Sequence, residues 1–433
     1  MNDLFKKSNE ILPRAKKVTP VAAQTYSKSY RYFCEGNSPL FLDRGQGCNV
    51  WDVDGNKFID FICALGAVTV GYNDARVNEA VIKQLEKGIS FSQPVEASIE
   101  LAEKLIEVIP CAEMVRLVKN GSDATSAAVR LSRAYTGRDL IAISGYHGMQ
   151  DWYIGTTVNN RGVPKQVAEL GKTFEYNNMD SLKALFVEYP NQIAAVILEP
   201  IQADGPKEGY LEELKNLTHS NGAILIFDEV VSGFRYALGG AQELYGVTPD
   251  LAAIGKGMGN GLPISAVVGR KDLLEQIETR NVFISTTFGG EALSIVGVLE
   301  TIKILEQAGT YEHIWKLGNI MLDGIRTLIK KFGLDSIISV SGLAPHGGVA
   351  FEGVGSLNYL DIQSVYQQRM TENGILTLGI NNINLSHTEK EIDRFLEGAE
   401  QAMYDIKKAI SQDSLEGILK GGKVNPVFKR NIK

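Results

Sequence analysis

The stretch Ala223-Ile224-Leu225-Ile226-Phe227-Asp228-Glu229 constrains the fold of this chain more than any other. A short, unbroken apolar run without polar alternation reads as a strand buried on both faces, as in a parallel sheet covered by helices on both sides. Its two terminal carboxylates then stand at the strand's carboxyl end, where open α/β sheets bind their ligands. A second apolar run, Ala252-Ala253-Ile254, leads into Gly255-Lys256-Gly257-Met258-Gly259-Asn260-Gly261-Leu262-Pro263. The glycines let the backbone crowd a bound group at Lys256.

A lysine is ordinarily a solvated surface group, and an aspartate after a strand is often only a helix cap. Together, at the ends of two buried strands, the pair suits pyridoxal phosphate (PLP). The lysine binds the cofactor covalently, and the aspartate pairs with the pyridine nitrogen and keeps the ring an electron sink.

Two upstream segments fall in the order such a site requires. Val115-Arg116-Leu117-Val118 is a short strand, and Lys119-Asn120-Gly121-Ser122-Asp123 turns into a helix with Ala124, Ala127, Ala128, Leu131 and Ala134 on one face. Gly121 and Ser122 lie where free N–H groups and the helix dipole bind phosphate, though alone the turn reads more readily as a plain cap, since caps greatly outnumber phosphate sites. Leu140-Ile141-Ala142-Ile143-Ser144 runs into Gly145-Tyr146-His147-Gly148, a glycine-bracketed aromatic pair able to lie against a planar cofactor, or an ordinary loop. Ala194-Ala195-Val196-Ile197-Leu198 delivers Glu199 and Gln202 to the same sheet edge.

Taken together, Gly121-Ser122-Asp123-Ala124, Tyr146-His147-Gly148, Leu198-Glu199-Pro200-Ile201-Gln202, Phe227-Asp228-Glu229-Val230, Gly255-Lys256-Gly257 and Ser285-Thr286-Thr287-Phe288-Gly289-Gly290 resemble the class III PLP-dependent aminotransferases, and within them the glutamate-1-semialdehyde aminomutase group. Val50-Trp51-Asp52-Val53-Asp54-Gly55 and Leu385-Ser386-His387-Thr388 fit as well, so the resemblance spans roughly residues 35 to 405. It implies PLP fold type I, aspartate aminotransferase-like: an α/β chain with a large, mostly parallel sheet of the seven-stranded type and a small α+β domain. It also implies roles. Lys256 holds the cofactor and shuttles the proton. Asp228 holds the pyridine nitrogen, Val230 packs beneath the ring and Tyr146 stacks above it. Gly121 and Ser122 hold the phosphate, Gln202 sits near the ring hydroxyl with Glu199 behind it, and Thr287 reaches the phosphate of a partner subunit. A homodimer with a shared active site follows from that last role.

Composition narrows the alternatives. With 433 residues, the chain suggests one large domain and a smaller one. A net charge of −7 provides no basic face for nucleic acid or an anionic membrane, and no apolar run approaches a membrane span. Met1 to Pro20 carries Lys6, Lys7, Arg14, Lys16 and Lys17 around no apolar core, so it does not read as a secretory signal. Cys34, Cys48, Cys63 and Cys111 lack ligand-like spacing, so neither structural zinc nor a disulfide is expected. The expectation is a cytoplasmic, metal-free enzyme. No Gly-x-Gly-x-x-Gly follows the first strand, and the glycines around Lys256 lack P-loop spacing. The expected organisation is an irregular N-terminal arm over 1–35, a small domain over 36–65 and 301–412, a large PLP-binding domain over 66–300 and a loose tail over 413–433.

The substrate is where the likeness strains. Most class III aminotransferases bind a carboxylate through a late Arg-x-x-Pro-Pro-Leu-like segment, and the aminomutases carry a Phe-Glu-Ala motif there. Here Gly374-Ile375-Leu376-Thr377-Leu378-Gly379-Ile380-Asn381-Asn382-Ile383-Asn384-Leu385-Ser386-His387 has no arginine, carboxylate or proline. Arg31 is a candidate carboxylate clamp from the arm, and equally a surface arginine. Asn381 and Asn382 are neutral candidates suited to a hydroxyl-bearing substrate. The reading is transfer of an amino group from an amino acid, glutamate by expectation, to a polar, sugar-like aldehyde or ketone. Glutamate-1-semialdehyde 2,1-aminomutase activity in tetrapyrrole synthesis is the alternative. A catalytically inactive PLP-fold binding protein ranks below both, because such a descendant would ordinarily lose Lys256 or Asp228.

Overall fold

A computed structural model describes residues 3–426. The chain divides into two compact units. The larger runs from Ala75 to Tyr311 and takes in Ala67–Thr69, and the smaller gathers the chain up to Gly66, Val70–Asp74 and the chain from Glu312. The boundary expected at residue 300 falls inside helix Ala292–Leu305, whose buried residues Ile295, Val298 and Ile302 leave no break there.

In the smaller unit the expected irregular arm is a helix, Lys6–Val18, followed by short 3-10 turns at Pro20–Ala22, Tyr26–Lys28 and Tyr30–Tyr32. Its start was hidden in the sequence because no adjacent side chain caps it. The cap comes from Asp54 instead, whose carboxylate accepts from Lys7 N at 2.6 Å and Ser8 N at 3.0 Å. Asp54 stands in the turn of an antiparallel meander, β1 (Leu42–Gln46), β2 (Asn49–Asp52) and β3 (Lys57–Asp60), in which Val50 faces Phe58 and Gly55 takes φ +89°.

The larger unit is built on β4 (Met114–Val118), β5 (Leu140–Ser144), β6 (Gly171–Thr173), β7 (Ile193–Leu198), β8 (Ile224–Glu229), β9 (Leu251–Ile254) and β10 (Ser265–Gly269). The seven strands lie in the order β4-β10-β9-β8-β7-β5-β6. β10 runs antiparallel to both neighbours, and the other pairs are parallel. Side chains alternate between two cores, as the pleat dictates. Ile224 and Ile226 pack with Ala124, Ala127, Ala128 and Leu131 of helix Gly121–Thr136, whereas Leu225 and Phe227 face Leu182 and Leu214 of helices Met179–Glu188 and Tyr210–Ser220. Continuing that alternation sends Asp228 to the face of helix Gly121–Thr136 and Glu229 to the opposite face.

The smaller unit is completed by β11 (Ile338–Leu343), β12 (His346–Phe351), β13 (Ile375–Leu376) and β14 (Ile380–Asn382). β13 pairs in parallel with β3, and β12 lies between β11 and β14. Helices Tyr359–Glu372 and Glu389–Ser411 bury Ile362, Tyr366, Phe395 and Met403 in its core. The described part of the expected loose tail is docked. Ile418 and Val424 are buried, Val424 N donates to Ser364 Oγ at 3.0 Å, and Asn425 N donates to Arg31 O at 2.8 Å. Residues 427–433 of that tail lie outside the described residues. No helix of the described residues is long and apolar enough to cross a membrane.

Candidate active site

Strand register assembles the site. Asp228 pairs with Ala253, three residues before Lys256, so both side chains leave the carboxyl ends of neighbouring parallel strands. Leu198 pairs with Phe227 and Ser144 with Leu198, which brings Glu199 and Gly145 to the same edge. This is the edge at which open α/β sheets bind ligands. After β9 the chain turns sharply: Lys256 takes φ +40° at the head of the 3-10 turn Lys256–Gly259. Thr69 clamps that turn, its Oγ1 donating to Gly257 O at 2.7 Å and its N to Asn260 Oδ1 at 3.0 Å.

Asp228 is 5% exposed. Its Oδ1 accepts from Val230 N at 3.1 Å, and its Oδ2 lies 2.8 Å from His147 Nδ1. Glu229, on the other face, is fully buried and accepts from Ser232 Oγ, Ala241 N and Gln242 N. Burial pushes its pKa upward against those hydrogen bonds. Its contacts hold the neighbouring loop and helix Gly240–Tyr245.

The loop after β5 is tied to its surroundings residue by residue. Tyr146 N donates to Glu199 Oε2 at 2.8 Å, Gln202 Nε2 to Ser144 Oγ at 3.3 Å, and Met149 N to Ser122 Oγ at 3.2 Å. The Tyr146 ring is 43% exposed and meets Tyr153 edge-on at 5.5 Å. Gly121 opens helix Gly121–Thr136, where the first N–H groups have no acceptor within the helix. Asp123 accepts from Asn120 N at 2.8 Å, and among the described residues no acceptor is seen for the Gly121 and Ser122 amides.

Close packing makes the cup specific. A Cβ on Gly121 would lie 2.7 Å from Val230 Cγ1, and one on Gly148 only 2.1 Å from Ser122 Oγ. Gly121, Ser122, Tyr146, Glu199, Gln202, Asp228, Val230 and Lys256 therefore converge at one end of one sheet. Thr287 lies on an exposed turn, and no hydrogen bond among the described residues ties it to the cluster.

Residues 32–402 match the family described as Aminotransferase class-III. The chain belongs to this family. It is 36% identical over 426 residues to the 3-aminobutyryl-CoA aminotransferase of Cloacimonas acidaminovorans (strain Evry), covering 93% of this chain and 98% of the relative. The PLP internal aldimine form of the FumI protein of Sphingopyxis sp. MTA144 superposes with a TM-score of 0.86 at 25% identity, over 94% of this chain and 98% of that one. A glutamate-1-semialdehyde-aminomutase from Pseudomonas aeruginosa PAO1 shares the fold at 20% identity, with a TM-score of 0.82 over 94% of this chain and 96% of that one.

As a class III aminotransferase of PLP fold type I, this enzyme uses PLP and moves amino groups between small-molecule amines and carbonyl compounds. The residues present fit the cofactor: helix N–H groups with no acceptor among the described residues beside a glycine-lined cup, a buried carboxylate, and a lysine on an adjacent strand end. PLP, when bound, supplies the electron sink for breaking a bond at the amine-bearing carbon.

Three expected substrate residues lie in the other unit. Arg31 is half-buried on the turn Tyr30–Tyr32, where its N donates to Ser29 Oγ at 3.3 Å. Asn381 is fully buried and spends its amide on Thr377 Oγ1 at 2.6 Å and Gly379 O at 3.4 Å. Asn382, 4% exposed, is bonded to His346 Nδ1 at 2.8 Å and to Ile62 O at 3.0 Å. Both asparagines therefore hold the β12–β14 region together, and the substrate role expected of them is withdrawn. His147 and Thr69 were missed as site residues. A titratable ring set between two glycines after a buried strand was a usable signal for His147. Thr69 carries no local signal.

Proposed function

We propose that this class III aminotransferase acts on an amine whose acid function is masked as a thioester, exchanging its amino group with a 2-oxo acid, 2-oxoglutarate and glutamate being the expected pair. One observation carries the reading. Residues 374–387, where class III relatives carry a carboxylate-binding arginine, hold no charged side chain here. A free carboxylate on the amine calls for a guanidinium fork in this segment and a thioester does not, so the carboxylates of the 2-oxo acid are bound by residues outside 374–387. The relative that acts on 3-aminobutyryl-CoA supports this choice. The sugar-like carbonyl acceptor expected from the sequence also lacks a carboxylate, but no relative named above favours it.

Lys256 holds the cofactor, and its Nζ then accepts and returns the substrate proton. Asp228 faces the ring nitrogen. Gly121 and Ser122 bind the phosphate, Val230 and Tyr146 flank the ring, and Gln202, backed by Glu199, meets the ring hydroxyl. Thr287, exposed on its turn, completes the phosphate site of a second copy, so the working unit is a homodimer. The presence of both Lys256 and Asp228 supports turnover over a binding role.

The test pairs 3-aminobutyryl-CoA with 2-oxoglutarate and follows glutamate, beside glutamate with a panel of keto sugars and glutamate-1-semialdehyde alone. Faster turnover of the thioester is expected. Efficient isomerisation of the semialdehyde, or a keto sugar outpacing the thioester, overturns the reading. Borohydride treatment should fix the cofactor on Lys256 by peptide mapping, and Lys256→Ala should show no adduct.

A further inference from the structure

The flanks of the turn that carries Thr287 are fastened to β4 and to helix Gly121–Thr136. Before the turn, Arg116 Nε and Nη2 donate to Ile284 O at 3.0 and 2.6 Å, and Arg130 Nη1 donates to Phe283 O at 2.6 Å. Within it, Gly289 lies so close to β4 that a Cβ there would stand 2.9 Å from Leu117 O. After it, Lys119 Nζ donates to Glu291 Oε2 at 2.8 Å and to Ser294 Oγ at 3.4 Å. One stretch of chain, Arg116 to Lys119, therefore reaches Ile284, Gly289 and Glu291 in order, and it ends two residues before Gly121. The Lys119–Glu291 pair is mostly buried, with side chains 16% and 11% exposed. Burial raises the Glu291 pKa, yet bonds from Lys119 and Ser294 carry it below the ordinary value, so the pair is ionised. Glu291 does not need Lys119 to cap helix Ala292–Leu305, because Leu293 N and Ser294 N donate to its carboxylate at 2.8 and 3.3 Å. The ion pair is additional to the cap. Two charges withdrawn from water hold each other in place, since either alone would be costly.

We propose that Lys119 and Glu291 are positioning residues that join the phosphate-binding turn of one site to the Thr287 turn offered to the other. Each subunit's ion pair then supports cofactor binding in both sites of the dimer: its own through Gly121 and Ser122, and the partner's through Thr287. The inference rests on the reading of Thr287 given above.

Hybrid dimers of full-length chains test it, each with one Lys256→Ala subunit, so that borohydride fixes PLP in a single live site. In the first arrangement Lys119→Met sits in the subunit that keeps Lys256. In the second it sits in the Lys256→Ala subunit, which offers its Thr287 to the live site. The PLP Kd of the live site should rise roughly 2- to 30-fold in both arrangements. Lys119→Arg should restore it, and Glu291→Gln, which keeps an acceptor for the helix cap, should act as Lys119→Met does. In the second arrangement, adding Thr287→Ala to the Lys119→Met subunit should cost little more than Thr287→Ala alone, because both act through one side chain. A general loss of stability would instead add in full. A rise in only one arrangement, no rise in either, or full additivity overturns the proposal. Thr287→Ala by itself in the Lys256→Ala subunit is the control for the underlying reading: a live site that it leaves unchanged shows that Thr287 does not serve the partner, whatever Lys119→Met does in the first arrangement.

Discussion

Gly148→Ala is a single-methyl probe of the cofactor cup. Gly148 holds φ +101°, and a Cβ there would stand 2.1 Å from Ser122 Oγ, 2.8 Å from Ser122 Cβ and 3.1 Å from Ser122 Cα. The backbone conformation alone costs an L-residue about 1–2 kcal/mol. The overlap involves a helix residue that cannot swing away freely, and overpacking of this kind adds about 1–3 kcal/mol. If Ser122 holds the phosphate as proposed, part of that total falls on PLP, because relieving the clash displaces the Ser122 hydroxyl. Losing one hydrogen bond to a charged phosphate is worth about 1.5–3 kcal/mol, or roughly a 10- to 100-fold rise in Kd. Gly137→Ala is the control: Gly137 has φ +67° and open space around its missing Cβ, so the substitution carries backbone strain without overlap. Titrating stripped enzyme with PLP by absorbance, beside thermal midpoints, separates the two effects. Gly148→Ala should lower both stability and PLP affinity, and Gly137→Ala stability alone. Equal midpoints and an unchanged PLP Kd for the two variants would refute the reasoning.

Burial pushes the pKa of His387 down from 6.5 to about 4, so the folded chain keeps its imidazole neutral where the unfolded chain takes up a proton. Its contribution is constant above pH 6.5 and is lost as the pH falls to 4, by up to about 3 kcal/mol, and His387→Asn should flatten that part of the stability–pH curve. Ile418→Ala, at a buried position of the docked C-terminal segment, should cost roughly 3 kcal/mol in denaturant unfolding of the smaller unit, whereas a loose tail would cost nothing. Asp54→Ala removes the remote cap of helix Lys6–Val18 and should cost about 1 kcal/mol, read as faster amide exchange over that helix with PLP binding unchanged.

The sequence was most legible where the chain is most buried. β7, β8 and β9 are continuous apolar runs because both sheet faces are covered, and Glu199, Asp228 and Lys256 each lie within two residues of the carboxyl end of one of them. Legibility failed where the partner is distant in sequence. Helix Lys6–Val18 takes its cap from Asp54, β13 is two residues long and exists only against β3, and the segment after Ser411 is held by Gln368 and Ser364. Asn381 and Asn382 looked available because asparagines usually are. Only the contacts to Thr377 and His346 reveal them as structural.

The pairing of β3 with β13 also sets an order of assembly on the ribosome. Ile59 N donates to Gly374 O at 2.8 Å, and Phe61 N to Leu376 O at 3.0 Å, bonds that join residues on either side of the entire larger unit. Every strand of the seven-stranded sheet has been synthesised by Gly269, so that sheet can close while the remainder of the chain is still being made. The meander has to wait, with β3 as an uncovered edge, until Ile375 and Leu376 emerge after the larger sheet. A chain halted after Tyr311 would therefore carry the complete larger sheet beside an unpaired strand edge, the kind of surface through which nascent chains aggregate.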